Sequence, residues 1–331
     1  MKAILCKAFG PIENLAYEEV GSPVLRPRQV RVAIEVSSVG FMDALMVKGE
    51  YQLKPPLPYI PGACGAGIVT EIGSEVTKAR VGDRVSFLNY YGAFAEEIAT
   101  DEHTLSVLPT SMDFEQAATY RLSYSPAYLA LKYRAALKQG ETFVITGAAG
   151  GVGLAATRLA KVLGARVIAV VGSAGKRDAA LEAGADEVVD HSAGDLREQL
   201  LALTGGKGAD VILDVVGGDV FDACVRCIAR NGRIVVMGFT SGRIPQVKVN
   251  RFLLKNASLL GVWLGDFMTH HPADFERMNG EILDLAAEGK LPIRIAARYP
   301  LPRLVDAMNH LLSRDVIGKI VVTASERSAT S

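Results

Sequence analysis

The spacing of apolar residues changes character along the chain. Residues 1 to about 100 form short runs in which apolar and polar positions alternate, as in 30–36, 67–72 and 81–87, with glycine and proline between them. A period of two predicts half-buried strands, and short strands separated by turns indicate a compact antiparallel barrel. From Phe114 to Leu137 the apolar period becomes helical. The chain therefore passes into a second region near residue 123.

Apolar strands and helices alternate in this second region. Its β-branched runs at 142–146, 167–171, 187–190, 210–215, 233–238 and 258–264 predict about six strands. Because helical patterns separate most of them, the strands are expected to be parallel, connected by right-handed crossovers. The sequence therefore predicts an α/β protein with a doubly wound parallel sheet beside the barrel domain.

The last part of the chain is too short to form a domain of its own. It contains a helix at Asp274–Ala287, a mixture of one helix and two strands at 291–323, and a polar end at Ser325–Ser331. We expect it to return to the barrel. The predicted domains are residues 1–122 completed by 267–331, and residues 123–266.

A glycine cluster joins the strand at 142–146 to the following helix. Aligned on its last glycines, the dinucleotide fingerprint G-x-G-x-x-G reads Ala148-x-Gly150-x-x-Gly153, so an alanine replaces the first glycine. Glycines permit a tight turn and close approach of a pyrophosphate, which the helix N-terminus then attracts. The strand–turn–helix–strand context favours a cofactor site over an ordinary turn without a ligand. The predicted cofactor-binding residues here are Ala148, Gly150, Gly151, Val152 and Gly153.

The end of the next strand predicts which cofactor binds. NAD sites usually place an acidic residue there to bind the ribose hydroxyls. Here the chain reads Val171-Gly172-Ser173, and the cations Lys176 and Arg177 follow. Small residues with nearby cations would accept a 2′-phosphate, which a carboxylate would repel. We therefore predict NADPH; the alternative is that both cations are solvated residues of the next helix.

Composition limits the remaining classes of function. The 331 residues include 36 Lys and Arg against 36 Asp and Glu, which argues against nucleic-acid binding and against a polybasic membrane binder. The four cysteines are too few and scattered for a disulfide framework, and no apolar run resembles a signal peptide or membrane span. A cytoplasmic protein is expected.

The whole chain resembles the zinc-free quinone oxidoreductase branch, related to ζ-crystallin, of the medium-chain dehydrogenase/reductase superfamily. The resemblance rests on four motifs, which are Tyr51-Gln52-x-Lys54-Pro55-Pro56-Leu57-Pro58, Pro61-Gly62-x-x-Gly65-x-Gly67, Val81-Gly82-Asp83-Arg84-Val85 and Gly147-Ala148-Ala149-Gly150-Gly151-Val152-Gly153. It implies a GroES-like barrel around a Rossmann domain, an active site in the cleft between them, and a homodimer joined through the strand at Leu259–Leu264.

The positions that carry zinc ligands in metal-dependent relatives hold other residues here. Those positions align with Gly40, with Ala63 in Gly62-Ala63-Cys64, and with Leu122, and the lobe of four cysteines is absent. A catalytic zinc needs three protein ligands. No metal is expected, and Cys224-x-x-Cys227 is interpreted as helix packing.

Without zinc as a Lewis acid, the expected acceptors are conjugated compounds that absorb a hydride themselves, such as quinones, enals and enones. The resemblance implies that Ser173, Lys176, His191 and Arg314 bind the 2′-phosphate, although His191 could equally be a surface residue. It also implies that Val216, Gly217 and Phe239 line the nicotinamide end.

The resemblance further implies a substrate cleft containing Phe41, Asp43, Tyr51 and Cys64. Tyr51 is the candidate proton relay, with packing beneath the proline-rich loop as the alternative. Asp43 is the second catalytic candidate, although bonding of loop N–H groups is favoured for it, and Cys64 is expected to be a small buried side chain.

Three residues depart from the pattern of the branch, which usually has Asn at Gly40, Glu at Cys64 and Thr at Pro126. Arg121 is also present, to bind an anionic substrate group or, as we favour, to pair with a nearby acid. These changes indicate a reshaped pocket. An enoyl-thioester reductase and a non-catalytic NADPH-binding protein therefore stay open beside the quinone reductase.

Overall fold

The computed structural model describes residues 1–324 and divides into two compact units. Unit 1 contains Met1–Leu122 and residues 292–324, and unit 2 contains Ser123–Leu291; the predicted polar end at Ser325–Ser331 lies outside the described residues. The predicted return to the barrel at residue 267 is wrong, because 267–291 belong to unit 2. The helix in this segment is tied to unit 2 by a buried hydrogen bond of 3.0 Å from the Ser125 hydroxyl to the Asn279 amide oxygen.

Strands and helices alternate between residues 142 and 236, as predicted. The strands are β1 (Lys2–Leu5), β2 (Ala16–Glu19), β3 (Gln29–Val39), β4 (Cys64–Ile72), β5 (Arg84–Leu88), β6 (Glu97–Asp101), β7 (Leu105–Val107), β8 (Thr142–Thr146), β9 (Arg166–Val171), β10 (Glu187–Asp190), β11 (Ala209–Asp214), β12 (Ile228–Val236), β13 (Ser258–Gly261), β14 (Ile295–Pro300) and β15 (Lys319–Thr323). The α-helices are α1 (Phe41–Lys48), α2 (Phe114–Tyr128), α3 (Gly151–Val162), α4 (Arg177–Glu182), α5 (Leu196–Leu203), α6 (Gly218–Arg226), α7 (Asn250–Leu253), α8 (Leu264–His270), α9 (Pro272–Ala287) and α10 (Leu304–Leu312).

Unit 2 is built on a parallel sheet of six strands in the order β10-β9-β8-β11-β12-β13. The order reverses between β8 and β11, and this is where open α/β sheets bind ligands at the carboxyl ends of the strands. Val144, Ile168, Ile212 and Ile234 are fully buried in its core, because both faces of a parallel sheet are covered.

Unit 1 is built on a mainly antiparallel sheet in the order β14-β15-β3-β4-β5-β7, with β6 also paired to β3. Strand β15 lies inside this sheet, parallel to β14 and antiparallel to β3. The end of the described chain therefore completes the barrel, as predicted for the segment that contains both strands.

Two local features differ from the sequence expectation. The apolar run at 258–264 forms a strand only as far as Gly261, because Trp263 precedes the first turn of α8. The helix predicted to reach Leu137 changes at Leu129–Arg134 into a π-helix, shortly after Pro126 removes a backbone donor. Among the described helices, none combines the length and apolar character needed to cross a membrane.

Candidate functional site

The glycine-rich turn of unit 2 is closed by backbone contacts. A Cβ placed on Gly153 would lie 2.3 Å from the carbonyl oxygen of Gly147 and 2.7 Å from the Ala148 backbone, so only glycine fits there. A Cβ on Gly150 would meet that same carbonyl at an ordinary 3.5 Å. Gly150 is the N-cap of α3 and offers no side-chain hydrogen bond to its first N–H groups. The turn therefore fits a pyrophosphate, with Gly153 shaping the fold and Gly150 leaving room for the anion.

The carboxyl end of β9 carries no acidic side chain. Gly172 and Ser173 are exposed, and a Cβ on Gly172 would lie 3.3 Å from Nε2 of His191. His191 is held there because its backbone N–H donates to the Val171 carbonyl at 3.0 Å. The imidazole of His191 thus lies against the position that usually selects the cofactor.

The two cations near this position both have contacts within the protein. The Arg177 guanidinium donates to the Val188 carbonyl at 2.8 Å, so it is committed to β10. Lys176 is half-buried in the 3₁₀ turn Ala174–Lys176 that precedes α4. Asp190, the acidic residue that ends β10, binds Ser192 at 2.7 Å. Lys176 also has an interaction of its own, and its assignment to the 2′-phosphate stays a prediction.

The predicted nicotinamide-side residues lie together beyond the ends of β11 and β12. Gly217 has a φ of +71°, and a Cβ there would meet Cδ1 of Phe239 at 3.1 Å and the Arg243 carbonyl at 2.9 Å. The Ser241 backbone N–H donates to the Val216 carbonyl at 2.9 Å, which fixes the two loops against each other. The structure thus brings Val216, Gly217 and Phe239 together at the carboxyl edge of the sheet.

Two buried polar residues at this edge, Thr146 and Asp214, were not among the predicted site residues. The Thr146 hydroxyl donates to Oδ1 of Asp214 at 2.6 Å, and the N–H of Gly217 donates to Oδ2 at 2.9 Å. Burial raises the pKa of the Asp214 carboxyl, and the hydrogen bond from Thr146 opposes that shift. A polar residue that ends an apolar parallel strand was the available signal, since ligands bind at that edge.

In unit 1, the predicted residue Asp43 lies in the first turn of α1. Its Oδ2 accepts a hydrogen bond of 2.7 Å from the N–H of Gly40, the N-cap of that helix. Burial raises the pKa of the Asp43 carboxyl to about 7, against the opposing effects of the Gly40 and Ala63 N–H groups and of Lys319. Bonding of loop N–H groups, the favoured interpretation of Asp43, is therefore present in the structure.

Lys319, which was not among the predicted site residues, is a cation whose charge lowers the pKa of the Asp43 carboxyl. It begins β15, is buried, and donates from Nζ to the Val39 carbonyl at 3.3 Å. Burial lowers the pKa of its ammonium group, and Asp43 opposes that shift. The signal was a single lysine next to the apolar run 320–322, which predicts a buried charge with a partner.

Cys64 and Arg121 are both buried, and the Cys64 thiol lies close enough to Arg121, Lys319 and Asp43 for their charges to affect its pKa. Burial raises the pKa of the Cys64 thiol to about 11, although Arg121 and Lys319 oppose the shift, so the thiol stays neutral. The Arg121 guanidinium donates to the Thr104 carbonyl. Cys64 is thus a small buried side chain, as expected, and Arg121 has a main-chain acceptor in addition to its other interactions.

The remaining predicted residues occupy separate places in unit 1. Phe41 begins α1, and Tyr51 is half-buried against the core cluster that contains Cys6, Tyr59 and Phe94. Arg314 follows α10 with a φ of +66°. Tyr51 packs against the core and keeps part of its surface exposed, so its role as a proton relay stays a prediction, as does the assignment of Arg314 to the 2′-phosphate.

The positions aligned with zinc ligands converge around Asp43. A side chain on Gly40 would meet Cδ2 of Leu122 at 2.9 Å, so the leucine fills the space beside it. Throughout residues 1–324, no three His, Cys, Asp or Glu side chains are grouped so that they could hold a metal ion. Cys224 and Cys227 are buried free thiols.

Two family models match the chain, one in each unit. A model described as alcohol dehydrogenase GroES-like domain matches residues 26–110, and one described as zinc-binding dehydrogenase matches residues 151–284. The first match covers strands β3 to β7, and the second starts in the glycine-rich turn.

Similarity to known proteins extends over nearly the whole chain. A quinone oxidoreductase-like protein 2 homolog of Nematostella vectensis is 37% identical over 98% of this chain and 89% of its own. A quinone oxidoreductase of Pseudomonas aeruginosa is 35% identical, covering 97% and 99%. The crystal structure of Escherichia coli quinone oxidoreductase complexed with NADPH superposes with a TM-score of 0.92 at 31% identity, covering 98% and 100%.

These similarities agree with the motifs, the GroES-like barrel and the Rossmann-type sheet. The residues that the motifs share with the family lie in both units. The chain therefore belongs to the quinone oxidoreductase branch of the medium-chain dehydrogenase/reductase superfamily and is an oxidoreductase of that family.

Proposed function

We propose that this protein is an NADPH-dependent reductase that transfers a hydride to a quinone or to a conjugated enone or enal without zinc. The observation that carries the proposal is the end of β9, where Gly172 and Ser173 leave space and His191 lies against Gly172. Together with Lys176, these residues would hold a 2′-phosphate, while the glycine-rich turn would hold the pyrophosphate. The NADPH in the similar E. coli structure supports this assignment.

When bound, the reduced nicotinamide supplies the hydride. The chain's own residues then position the cofactor, exclude water and provide a proton to the reduced acceptor. Tyr51 is the proposed donor, because a phenol is a neutral hydrogen-bond donor at pH 7. Asp43 is proposed to shape the β3–α1 turn, since its carboxylate is occupied by Gly40.

The cofactor assignment is tested by equilibrium binding. Lys176→Ala should weaken NADPH by about tenfold and leave NADH nearly unchanged, because only NADPH carries the 2′-phosphate. Lys207→Ala, which removes an exposed cation from the turn before β11, is the matched control. Equal affinities of the unmodified protein for NADPH and NADH would contradict the proposal.

The reaction is tested by steady-state assays with quinones, enones, enals and acyl-CoA thioesters. Reduction of the first three supports the proposed function, whereas a preference for the thioesters supports the enoyl-thioester reductase. Tight NADPH binding without reduction of any acceptor would support a non-catalytic NADPH-binding protein.

We also propose that two copies join through the edge of the unit 2 sheet at β13. In the described residues β13 is paired only with β12, and exposed apolar side chains lie at and near it, with Leu253 76%, Leu259 45% and Trp263 43% exposed. An unpaired apolar edge is a ready site for strand pairing.

Leu259→Lys tests this dimer, because it places a charge on the strand edge. Sedimentation equilibrium should show a dimer for the unmodified chain and a monomer for the variant. Trp263 is the only tryptophan, so its emission should shift to longer wavelength in the monomer. The proposed dimer would be contradicted if the unmodified chain were monomeric at micromolar concentration.

A further inference from the structure

Thr146 and Asp214 form a buried hydrogen-bonded bridge between two loops of unit 2. Both side chains are fully buried. The Thr146 hydroxyl donates to Asp214 Oδ1 at 2.6 Å and accepts from the N–H of Val215 at 3.1 Å. Asp214 in turn accepts from the N–H of Val216 at 3.3 Å and of Gly217 at 2.9 Å. Two side chains thus bind three consecutive backbone N–H groups of the loop that follows β11.

This bridge lies where the sheet order reverses. Thr146 ends β8 and directly precedes the glycine-rich turn, and Asp214 ends β11, the neighbouring strand. The two loops also touch, since a Cβ on Gly147 would meet Cγ2 of Val215 at 2.9 Å and Cγ2 of Val216 at 3.3 Å. The bridge is therefore the polar part of a direct contact between the two loops.

We propose that Thr146 and Asp214 are positioning residues that set the loop of Val215–Gly218 relative to the glycine-rich turn, so that one dinucleotide can contact both. This inference rests on the proposed function. Neither side chain is exposed to touch the cofactor itself, so both act through the backbone groups they hold. A preformed arrangement lowers the ordering cost of binding a ligand that spans two loops.

A purely structural role makes a different prediction. If the bridge only stabilised the fold, its loss would affect every ligand of unit 2 equally or none. If it sets the distance between two loops, a ligand that contacts one loop should bind normally, and a ligand that contacts both should bind weakly. Comparison of a cofactor fragment with the whole cofactor separates these cases.

The experiment compares Thr146→Val, which removes the hydroxyl, with Thr146→Ser, which keeps it. The dissociation constants of NADPH and of 2′,5′-ADP are measured by calorimetry, and amide hydrogen exchange of 215–217 is measured without ligand. Thr204→Val is the matched control, because Thr204 is a buried threonine that binds a loop N–H, that of Gly208, at the opposite edge of the sheet.

Thr146→Val should weaken NADPH at least tenfold, change 2′,5′-ADP less than twofold and accelerate exchange at 215–217. Thr146→Ser should restore both properties, and Thr204→Val should alter neither. Equal weakening of both ligands, or weakening of neither, would overturn the positioning role. If Thr146→Val does not fold, Asp214→Asn is judged by the same criteria. Failure of the unmodified protein to bind either ligand would instead overturn the proposed function.

Discussion

The side chains of Lys319 and Asp43 bind opposite ends of one peptide group. Lys319 donates to the carbonyl of Val39, and the N–H of Gly40 in the same peptide unit donates to Asp43. The peptide joins β3 to α1, so a cation from β15 and a carboxylate from α1 together fix this junction. Because all of these groups are buried, the peptide dipole interacts with the Lys319 ammonium group, and above the pKa of Asp43 also with its carboxylate, with little screening by water.

Removal of one member of this arrangement should destabilise the protein. Lys319→Met is expected to lower the free energy of unfolding by about 3 kcal/mol, because it leaves a buried carboxyl without its cation. Urea denaturation measures the change. Lys54→Met, at an exposed lysine of the proline-rich loop, should change it by less than about 0.5 kcal/mol. The double variant Asp43→Asn/Lys319→Met should lose less free energy of unfolding than the two single variants lose together.

Equal changes in the free energy of unfolding for the Lys319 and Lys54 variants would show that the buried lysine does not stabilise the fold more than an exposed one. Additive single effects would show that Lys319 and Asp43 do not interact.

The raised pKa of Asp43 predicts how stability depends on pH. Its carboxyl holds a proton up to a pKa of about 7 in the folded protein, whereas an unfolded aspartate titrates near pH 4. The folded state therefore binds more protons between these values, so stability should fall as pH rises from 4 to 7, by at most about 1.4 kcal/mol per pH unit. Above and below this window Asp43 adds no slope.

Asp43→Asn removes this titration and serves as the reference. Urea denaturation of both proteins at several pH values should give a difference in unfolding free energy that favours the unmodified chain most at low pH. A difference in unfolding free energy that stays constant between pH 4 and 7 would show that the pKa of Asp43 is not raised in the folded state.

The two glycines of the turn should differ in what they support. Gly153→Ala should lower the free energy of unfolding by about 1–3 kcal/mol, because its Cβ would lie 2.3 Å from the Gly147 carbonyl oxygen. Gly150→Ala should leave the ligand-free protein nearly unchanged but weaken NADPH at least tenfold, because the methyl group occupies the space of the pyrophosphate. Thermal denaturation and an NADPH titration measure the two effects. Similar melting temperatures for both variants would refute this division of roles.

A carboxylate at the end of β9 should reverse the cofactor preference. Gly172→Asp is expected to weaken NADPH at least tenfold by repulsion of the 2′-phosphate, and to weaken NADH much less. Gly172→Asn has nearly the same shape without the charge and controls for the close approach to His191. Binding titrations with NADPH and NADH give the ratio of the two dissociation constants for each variant. Loss of both affinities in both variants would point to crowding against His191 rather than to charge.

Local patterns were sufficient to predict the order of elements in unit 2 and its glycine-rich turn. A strand run such as 187–190 is specified by residues within the same segment, and the structure has this strand at these bounds. The helix predicted at 274–287 is present and begins two residues earlier, at Pro272, but its amphipathic pattern does not say which unit covers its apolar face.

Long-range pairings could not be read from the sequence. Lys319 and Val39 are 280 residues apart, and their contact depends on the register between β15 and β3. The Thr146–Asp214 bridge likewise depends on β8 and β11 becoming neighbours through a crossover. The early end of the strand that begins at Ser258 was not predicted, because a contiguous apolar run carries no signal for the start of α8.

The position of β15 inside the unit 1 sheet has a consequence for biosynthesis. A ribosome completes all of unit 2 before it reaches β14 and β15, so the first 122 residues must wait with residues 36–39 of β3 unpaired on the side that β15 later takes, while β6 can already pair with residues 29–33. Nascent chains that stop before Thr323 would expose this edge, and we expect them to be preferred targets of chaperones and proteases.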